Sequence, residues 1–208
     1  MNTELTETIF ILDRSGSMGG LETDTIGGYN SFLKRQQKDP GISYITTVLF
    51  DDQYELLHNC IPVQEVPELT EKEYYTRGTT ALLDAIGRTI STVARRLEDQ
   101  SVQQRPRKVI MVITTDGYEN SSQEYNLHQV RTMITKQKDK YNWEFIFLGA
   151  DIAAEDIADS MGIARSSAVQ YSKSSDGTLN MFNCMAENVS DLKTKGHLKK
   201  DWKEDMQK

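Results

Sequence analysis

Short runs rich in β-branched and aromatic residues alternate along this chain with segments of helical period, and few architectures accommodate that order. The run 108–114 is the most telling, because it is nearly continuous in apolar residues and suits a strand buried on both faces in mid-sheet. Further strand-like runs lie at 8–12, 44–50, 54–61, 143–148 and 168–171. Between the first two, Ile26, Tyr29, Phe32, Leu33 and Gln36 mark a helix that stops at Asp39, Pro40 and Gly41, although Gly27 and Gly28 weaken it. Leu82, Ile86, Ile90, Val93 and Leu97 recur every three or four residues, as one buried helical stripe requires. The expected class is therefore α/β: an open, doubly wound, mostly parallel sheet with helices on both faces. Only Asp51, Asp52 and Gln53 separate two of the strands, and a link that short forces an antiparallel hairpin.

The second half follows the same alternation. Ser121 and Glu124 have capping-box spacing and predict a helix start, with Lys136, Lys138 and Lys140 favouring the negative end of its dipole. A short helix is expected through Ala153, Ile157 and Met161, and a last one through Phe182, Met185, Ala186, Val189 and Leu192. No repeat or interdomain linker interrupts the pattern, so a single domain is expected over 1–192. From Lys193 onward six lysines face three acids, with Leu198, Trp202 and Met206 spaced by four, which reads as a Lys-rich tail or a frayed amphipathic helix.

Composition narrows the function. The 208 residues carry 31 acids against 24 Lys and Arg, and a net charge of −7 argues against sequence-independent attraction to nucleic acid. The longest apolar runs, 109–113 and 145–148, fall far short of the ~20 residues that span a bilayer, so no membrane partner is expected. The first seven residues lack the basic start and apolar stretch of a secretory signal, and there are only two cysteines, so a reducing, cytoplasmic location is expected. A chain of this length should bury roughly 70% of its unfolded surface, so any metal would be functional rather than a staple.

Three short segments stand where chemistry is expected. Asp13, Ser15 and Ser17 follow the first strand, Thr79 and Thr80 precede the main helix, and Asp116 follows the central strand. Open α/β sheets bind ligands beyond the carboxyl ends of their strands. If the strands leading to Asp13 and Asp116 are parallel neighbours, the two carboxylates share a crevice and repel unless a proton or cation sits between them. Ligands that are all oxygen suit a hard ion such as Mg²⁺ or Mn²⁺, and the lack of His or Cys argues against zinc. Two carboxylates leave a divalent ion with pull on one more anionic oxygen, which an Asp or Glu of a protein partner could supply. Arg14 and Tyr118 flank the cluster and are candidate partner contacts.

In these segments the chain resembles the von Willebrand factor A domain family, with its metal-ion-dependent adhesion site. Residues 9–18 look like the family's apolar strand followed by D-x-S-x-S, residues 78–85 resemble its G-x-T-x-L-x-D-A form, and 109–117 look like the apolar strand ending in T-D-G. Singly these motifs are weak or moderate; in this order and spacing they are specific, and the likeness covers roughly residues 5–165. It looks most like the small stand-alone members found in bacteria and their phages. The resemblance implies a Rossmann-like sheet with one antiparallel edge strand, and direct coordination of Mg²⁺ or Mn²⁺ by Ser15, Ser17 and Thr80. Asp13 and Asp116 would then act through bound water, with one position open for a partner carboxylate. It implies a binding module rather than an enzyme, and a partner of the AAA-type ATPase or multiprotein-complex kind. Thr79 stands where the family commonly has glycine, which leaves Thr79 as the alternative ligand, otherwise part of the rim.

Two rival readings come from other classes. A phosphohydrolase of the haloacid dehalogenase type also places an Asp nucleophile after its first strand, as Asp13 would be, but needs an acid two residues later, where this chain has Ser15. A scaffold whose site binds no metal is the other. His58, His128 and His197 are scattered, and neither G-x-S-x-G nor G-x-G-x-x-G is present.

Overall fold

The computed structural model describes residues 2–199 and 201–206. Its elements run β1 (Asn2–Asp13), α1 (Glu22–Gln36), β2 (Ile42–Phe50), β3 (Tyr54–Pro62), α2 (Leu82–Glu98), β4 (Pro106–Thr115), α3 (Leu127–Tyr141), β5 (Glu144–Ala150), α4 (Ala154–Ser160), β6 (Ala168–Tyr171), α5 (Ser175–Thr194) and α6 (Trp202–Met206). The strands form one six-stranded sheet in the order β3-β2-β1-β4-β5-β6. Every pairing is parallel except β2 with β3, where the three-residue link turns the chain back and leaves β3 antiparallel at the edge.

Alternation along the strands explains the two layers. Phe10 and Leu12 of β1 face the side covered by α1, α5 and α6, where they meet Tyr29, Phe32, Phe182 and Trp202. Ile9 and Ile11 face the other side, against Leu82, Ile86 and Ile90 of α2 and Val130 and Ile134 of α3. β1 and β4 are buried on both faces, which is why their sequences read as unbroken apolar runs. Each fully buried Leu, Ile or Phe contributes about 1.5–3 kcal/mol through removal from water. Gly28, a liability for a helix in isolation, is required by packing: a Cβ there would lie 2.2 Å from the Phe182 ring, so α1 can approach α5 only without a side chain at that point.

Two expectations are corrected. The helix after the central strand starts at Leu127, and its capping box is formed by Asn126 and Gln129, not by Ser121 and Glu124. The reason is competition for backbone donors: the N–H groups of Gln123, Glu124 and Tyr125 all donate to the Asp84 carboxylate of α2, which holds residues 119–125 as a loop. Second, α5 is not the last helix. Within the segment expected to fray, Trp202 and Met206 are buried against the core, and the Trp202 Nε1–H donates to the Ser166 carbonyl at 3.1 Å. Asn180 Nδ2 donates to the Asp205 carbonyl at 2.9 Å, fixing α6 on α5. Among the described residues no helix is long and apolar enough to cross a membrane.

The connections reverse direction between β1 and β4: from β1 the chain moves outward to β2, and from β3 it returns through α2 to β4 on the other side. That switch point opens a crevice beyond the carboxyl ends of β1 and β4, flanked by the loops after both strands and the loop before α2.

Candidate metal centre

β1 and β4 end side by side in register, Leu12 opposite Thr114, so the residues that follow, Asp13 and Asp116, meet at the switch point. Asp13 is fully buried: its Oδ1 accepts the Ser15 N–H at 2.7 Å and its Oδ2 accepts the Thr115 hydroxyl at 2.6 Å. Burial pushes its carboxyl up to about 6, hydrogen bonds from Thr115 and Ser15 pull it back, and the negative Asp116 adds to the rise. A chain of hydroxyls crosses the crevice. Ser15 Oγ lies 3.0 Å from Ser17 Oγ, and the Ser17 hydroxyl donates to Asp116 Oδ1 at 2.6 Å.

The other oxygen of Asp116 is different. Oδ2 is buried and has no hydrogen-bond partner; its nearest cation is the Lys173 ammonium, 2.8 Å away but without hydrogen-bond alignment. Lys173, just beyond β6, was not singled out in the sequence. Tyr171, at the end of the same strand, is also buried with an unpartnered hydroxyl. Burial first, then the charges of Asp116 and Asp13, hold that phenol above its ordinary value.

Thr80 completes the cluster. Its hydroxyl and that of Ser17 both crowd the α-carbon of Gly117: a Cβ at 117 would lie 3.0 Å from Thr80 Oγ1 and 3.5 Å from Ser17 Oγ. Thr79 is exposed while Thr80 is buried, and the backbone at Thr80 is clamped to Asn120, whose Oδ1 accepts its N–H at 2.9 Å and whose N–H donates to its carbonyl at 3.1 Å. Glu119 accepts the Leu83 N–H at 2.8 Å, tying the same loop to the first turn of α2. Asn120 and Glu119 act through these clamps and carried no motif signal.

Arg14 is not part of the rim, contrary to expectation. It is 1% exposed and turned inward, its Nε donating to Asp51 Oδ2 at 3.0 Å and its Nη1 pairing with Glu55 at 2.8 Å. Arg77 Nε donates to the same Asp51 oxygen at 2.7 Å, and the Gln53 N–H donates to Asp51 Oδ1 at 2.6 Å. A buried carboxylate at the hairpin demands counter-charge, and Arg14 supplies it. Burial would raise the Asp51 carboxyl, but the bonds from Arg77, Gln53 and Arg14 outweigh it and hold it below the usual carboxylate range. Backbone bonds lock the three loops around this cluster: Arg14 N to the Phe50 carbonyl at 2.8 Å, Arg77 N to the Arg14 carbonyl at 2.9 Å, and Ala81 N to the Asp51 carbonyl at 2.9 Å. Tyr118, by contrast, stands 61% exposed beside the crevice.

The residues fit a hard divalent cation. Two carboxylates and three hydroxyls converge, one buried carboxylate oxygen lacks a hydrogen bond, and Gly117 keeps the space between the hydroxyls clear. Among the described residues no group of three or more His, Cys, Asp and Glu side chains is placed to hold a metal, so neither a soft-ligand nor a carboxylate-rich site competes with this one.

No protein-family model matches the chain, and no curated protein matches it significantly. Solved structures do. Proximal thread matrix protein 1 from the mussel byssus superposes with a TM-score of 0.59 at 13% identity, covering 92% of this chain and 47% of that one. The same mussel protein was also solved with a zinc-occupied MIDAS motif, at 14% identity. The manganese-loaded TRAP protein of Plasmodium vivax matches at 20% identity and a TM-score of 0.53, over 72% of this chain and 58% of that one. The VWA2 paralogue of ArnB from Sulfolobus acidocaldarius matches at 17% identity and a TM-score of 0.53, over 90% of this chain and 45% of that one. The chain thus spans about half the length of these proteins. Sheet order, the single antiparallel edge strand and these superpositions together give the chain the fold of the von Willebrand factor A domain.

Proposed function

We propose that this protein is a non-catalytic, divalent-metal-dependent protein-binding module. Asp13, Ser15, Ser17, Thr80 and Asp116 hold Mg²⁺ or Mn²⁺, and an Asp or Glu of a partner protein completes the site. The observation that carries this reading is the meeting of two carboxylates at the ends of adjacent parallel strands, joined by the Ser15 and Ser17 hydroxyls, with one oxygen of Asp116 that accepts no hydrogen bond and faces only the Lys173 ammonium. When bound, the ion would supply a positive charge that the two carboxylates neutralise only on paper, since both are shared with hydroxyl and amide donors; the remaining pull falls on an incoming anionic oxygen. Ser17 is exposed and lies on the solvent side, while Thr79 and Tyr118 stand around it where a partner would be felt. Zinc and manganese in the mussel and Plasmodium proteins support a divalent ion, and the donor set of this chain favours the harder ones.

Hydrolysis through Asp13 has less support. Both of its carboxylate oxygens are engaged, the side chain is fully buried, and the hydroxyl of Ser15 stands where a general acid is needed. Resemblance to the family makes an AAA-type ATPase or another component of a multiprotein complex the partner class to try first, in the cytoplasm. The direct test is selection of peptides from a displayed random library by the immobilised protein in Mg²⁺. Selected peptides should share an Asp or Glu, elute with EDTA, and lose binding when that acid becomes an amide. Peptides retained equally in EDTA would contradict the proposal.

A further inference from the structure

Lys173 lies two strands away from Asp116 in the sheet, yet its side chain reaches across the end of β5 to place Nζ 2.8 Å from Asp116 Oδ2. The backbone on either side of it is fixed. Ser174 N donates to the Ser172 carbonyl at 2.9 Å, and Ser174 Oγ caps α5 by accepting the Gly177 N–H at 3.1 Å. A Cβ on Gly177 would lie 2.1 Å from the Ser172 carbonyl oxygen, so this turn is closed tightly around the lysine. The side chain, in contrast, is 32% exposed and has a path to solvent along its flexible stem.

With Ser17 on Oδ1 and Lys173 on Oδ2, both oxygens of Asp116 are engaged from within the chain. The two contacts differ in kind. The Ser17 hydroxyl makes an aligned hydrogen bond, whereas the lysine makes an ion pair that leaves Oδ2 without one. Oδ2 is the oxygen of this carboxylate left without a hydrogen bond, and an ammonium 2.8 Å from it opposes, by like-charge repulsion, any divalent ion that draws on the same carboxylate.

We propose that Lys173 is a tethered competitor for the metal site: divalent-ion binding at Asp116 is a cation exchange in which the Lys173 ammonium must first swing away. This rests on the metal-binding reading above. Because the lysine is held on a short, fixed turn, its effective concentration at Asp116 is high, of millimolar order or above, so the exchange lowers metal affinity and ties it to the position of the β6–α5 turn. A partner carboxylate or a small anion that captures the lysine would raise metal affinity without touching any ligand.

The test is calorimetric titration of Mn²⁺ into the wild type, Lys173→Met and Lys173→Arg at fixed pH and ionic strength, with melting of each in EDTA. Lys173→Met is expected to bind Mn²⁺ about tenfold more tightly, the factor that 1.4 kcal/mol makes. It should also melt lower than wild type in EDTA, because Asp116 then lacks its internal cation, while Lys173→Arg stays near the wild type in both. Mn²⁺ binding to Lys173→Met that is no tighter than to wild type would overturn the exchange and leave the metal site standing. Absence of binding in all three proteins would overturn both.

Discussion

Asp51 and the pair Asp13 and Asp116 occupy the same rim of the sheet, and their charges are balanced by different means. Asp51 is enclosed by two arginines and a backbone N–H, with further backbone bonds binding the hairpin to the loops before and after it. Asp13 and Asp116 are surrounded by hydroxyls and one loosely aligned lysine. Asp51 and Asp13, both without exposed surface, therefore differ: Asp51 sits below its usual carboxyl range and Asp13 above it. The first cluster is complete within the chain and works as a clamp. The second is balanced by hydroxyls and Lys173 alone, and on the function proposed above it takes a cation from outside. The clamp matters to the site because it fixes the loops at 14, 51 and 77–81, and these carry Ser15 and Thr80 to their places.

The comparison can be broken most forcefully at the clamp. Asp51→Ala takes the buried carboxylate from Arg14 and Arg77, leaving buried Arg14 only the half-exposed Glu55, and should cost about 3–5 kcal/mol in denaturant unfolding, equally in EDTA and in Mg²⁺. A loss below about 1 kcal/mol would mean the arginines need no such partner.

The pH dependence of the two clusters should have opposite sign. The folded carboxyl of Asp51 is depressed, so its contribution is present above its unfolded value near pH 4 and is lost as pH falls through the lower folded value. Asp13 is raised to about 6, so the native state holds its proton longer than the unfolded chain and stability falls as pH rises from about 4 to about 6. In EDTA the wild type should lose about 2–3 kcal/mol relative to Asp13→Asn between pH 4 and pH 7. Unfolding curves that stay parallel would remove the contrast between the clusters.

Smaller changes sharpen it. Gly117→Ala puts a methyl group 3.0 Å from Thr80 Oγ1 and should weaken Mn²⁺ binding about tenfold by calorimetry, with little change of melting in EDTA. Tyr118→Ala should shift stability by less than about 0.5 kcal/mol and leave metal affinity alone, weakening only peptide capture, because the ring is largely in solvent. A metal effect from Tyr118→Ala would redraw the boundary between site and rim.

Much of this was legible in the chain. The strand segments, the central place of β4 and the hairpin followed from apolar runs and a three-residue link, since burial on both faces leaves an unbroken apolar imprint, as in β4; the order of the strands came only from the structure. Asp13, Ser15, Ser17, the pair Thr79 and Thr80, and Asp116 were expected together from their positions after strands and before α2, and the family resemblance singled out Thr80. What misled was local: Ser121 and Glu124 have the spacing of a cap, but Asp84, forty residues earlier in the chain from Glu124, takes the backbone donors that a helix start would use. Arg14 looked free because it sits inside a ligand motif, and only the fold shows Asp51 beside it. Lys173 gave no signal, because its partner lies across two strands. The apolar stripe of α6 was seen, but its docking on α5 depends on Asn180 and Ser166, which no periodicity connects to it.

The most direct measurement is the melting temperature of wild type and Asp116→Ala in EDTA and across Mg²⁺ and Mn²⁺ titrations. At about 100 times the dissociation constant, an ion that binds only the native state adds roughly 2.7 kcal/mol. The wild type should rise by the corresponding shift and Asp116→Ala should stay flat while remaining folded. A wild type that melts identically in EDTA and in saturating Mg²⁺ or Mn²⁺, or an Asp116→Ala variant that rises with it, would contradict a metal centre at the junction of β1 and β4.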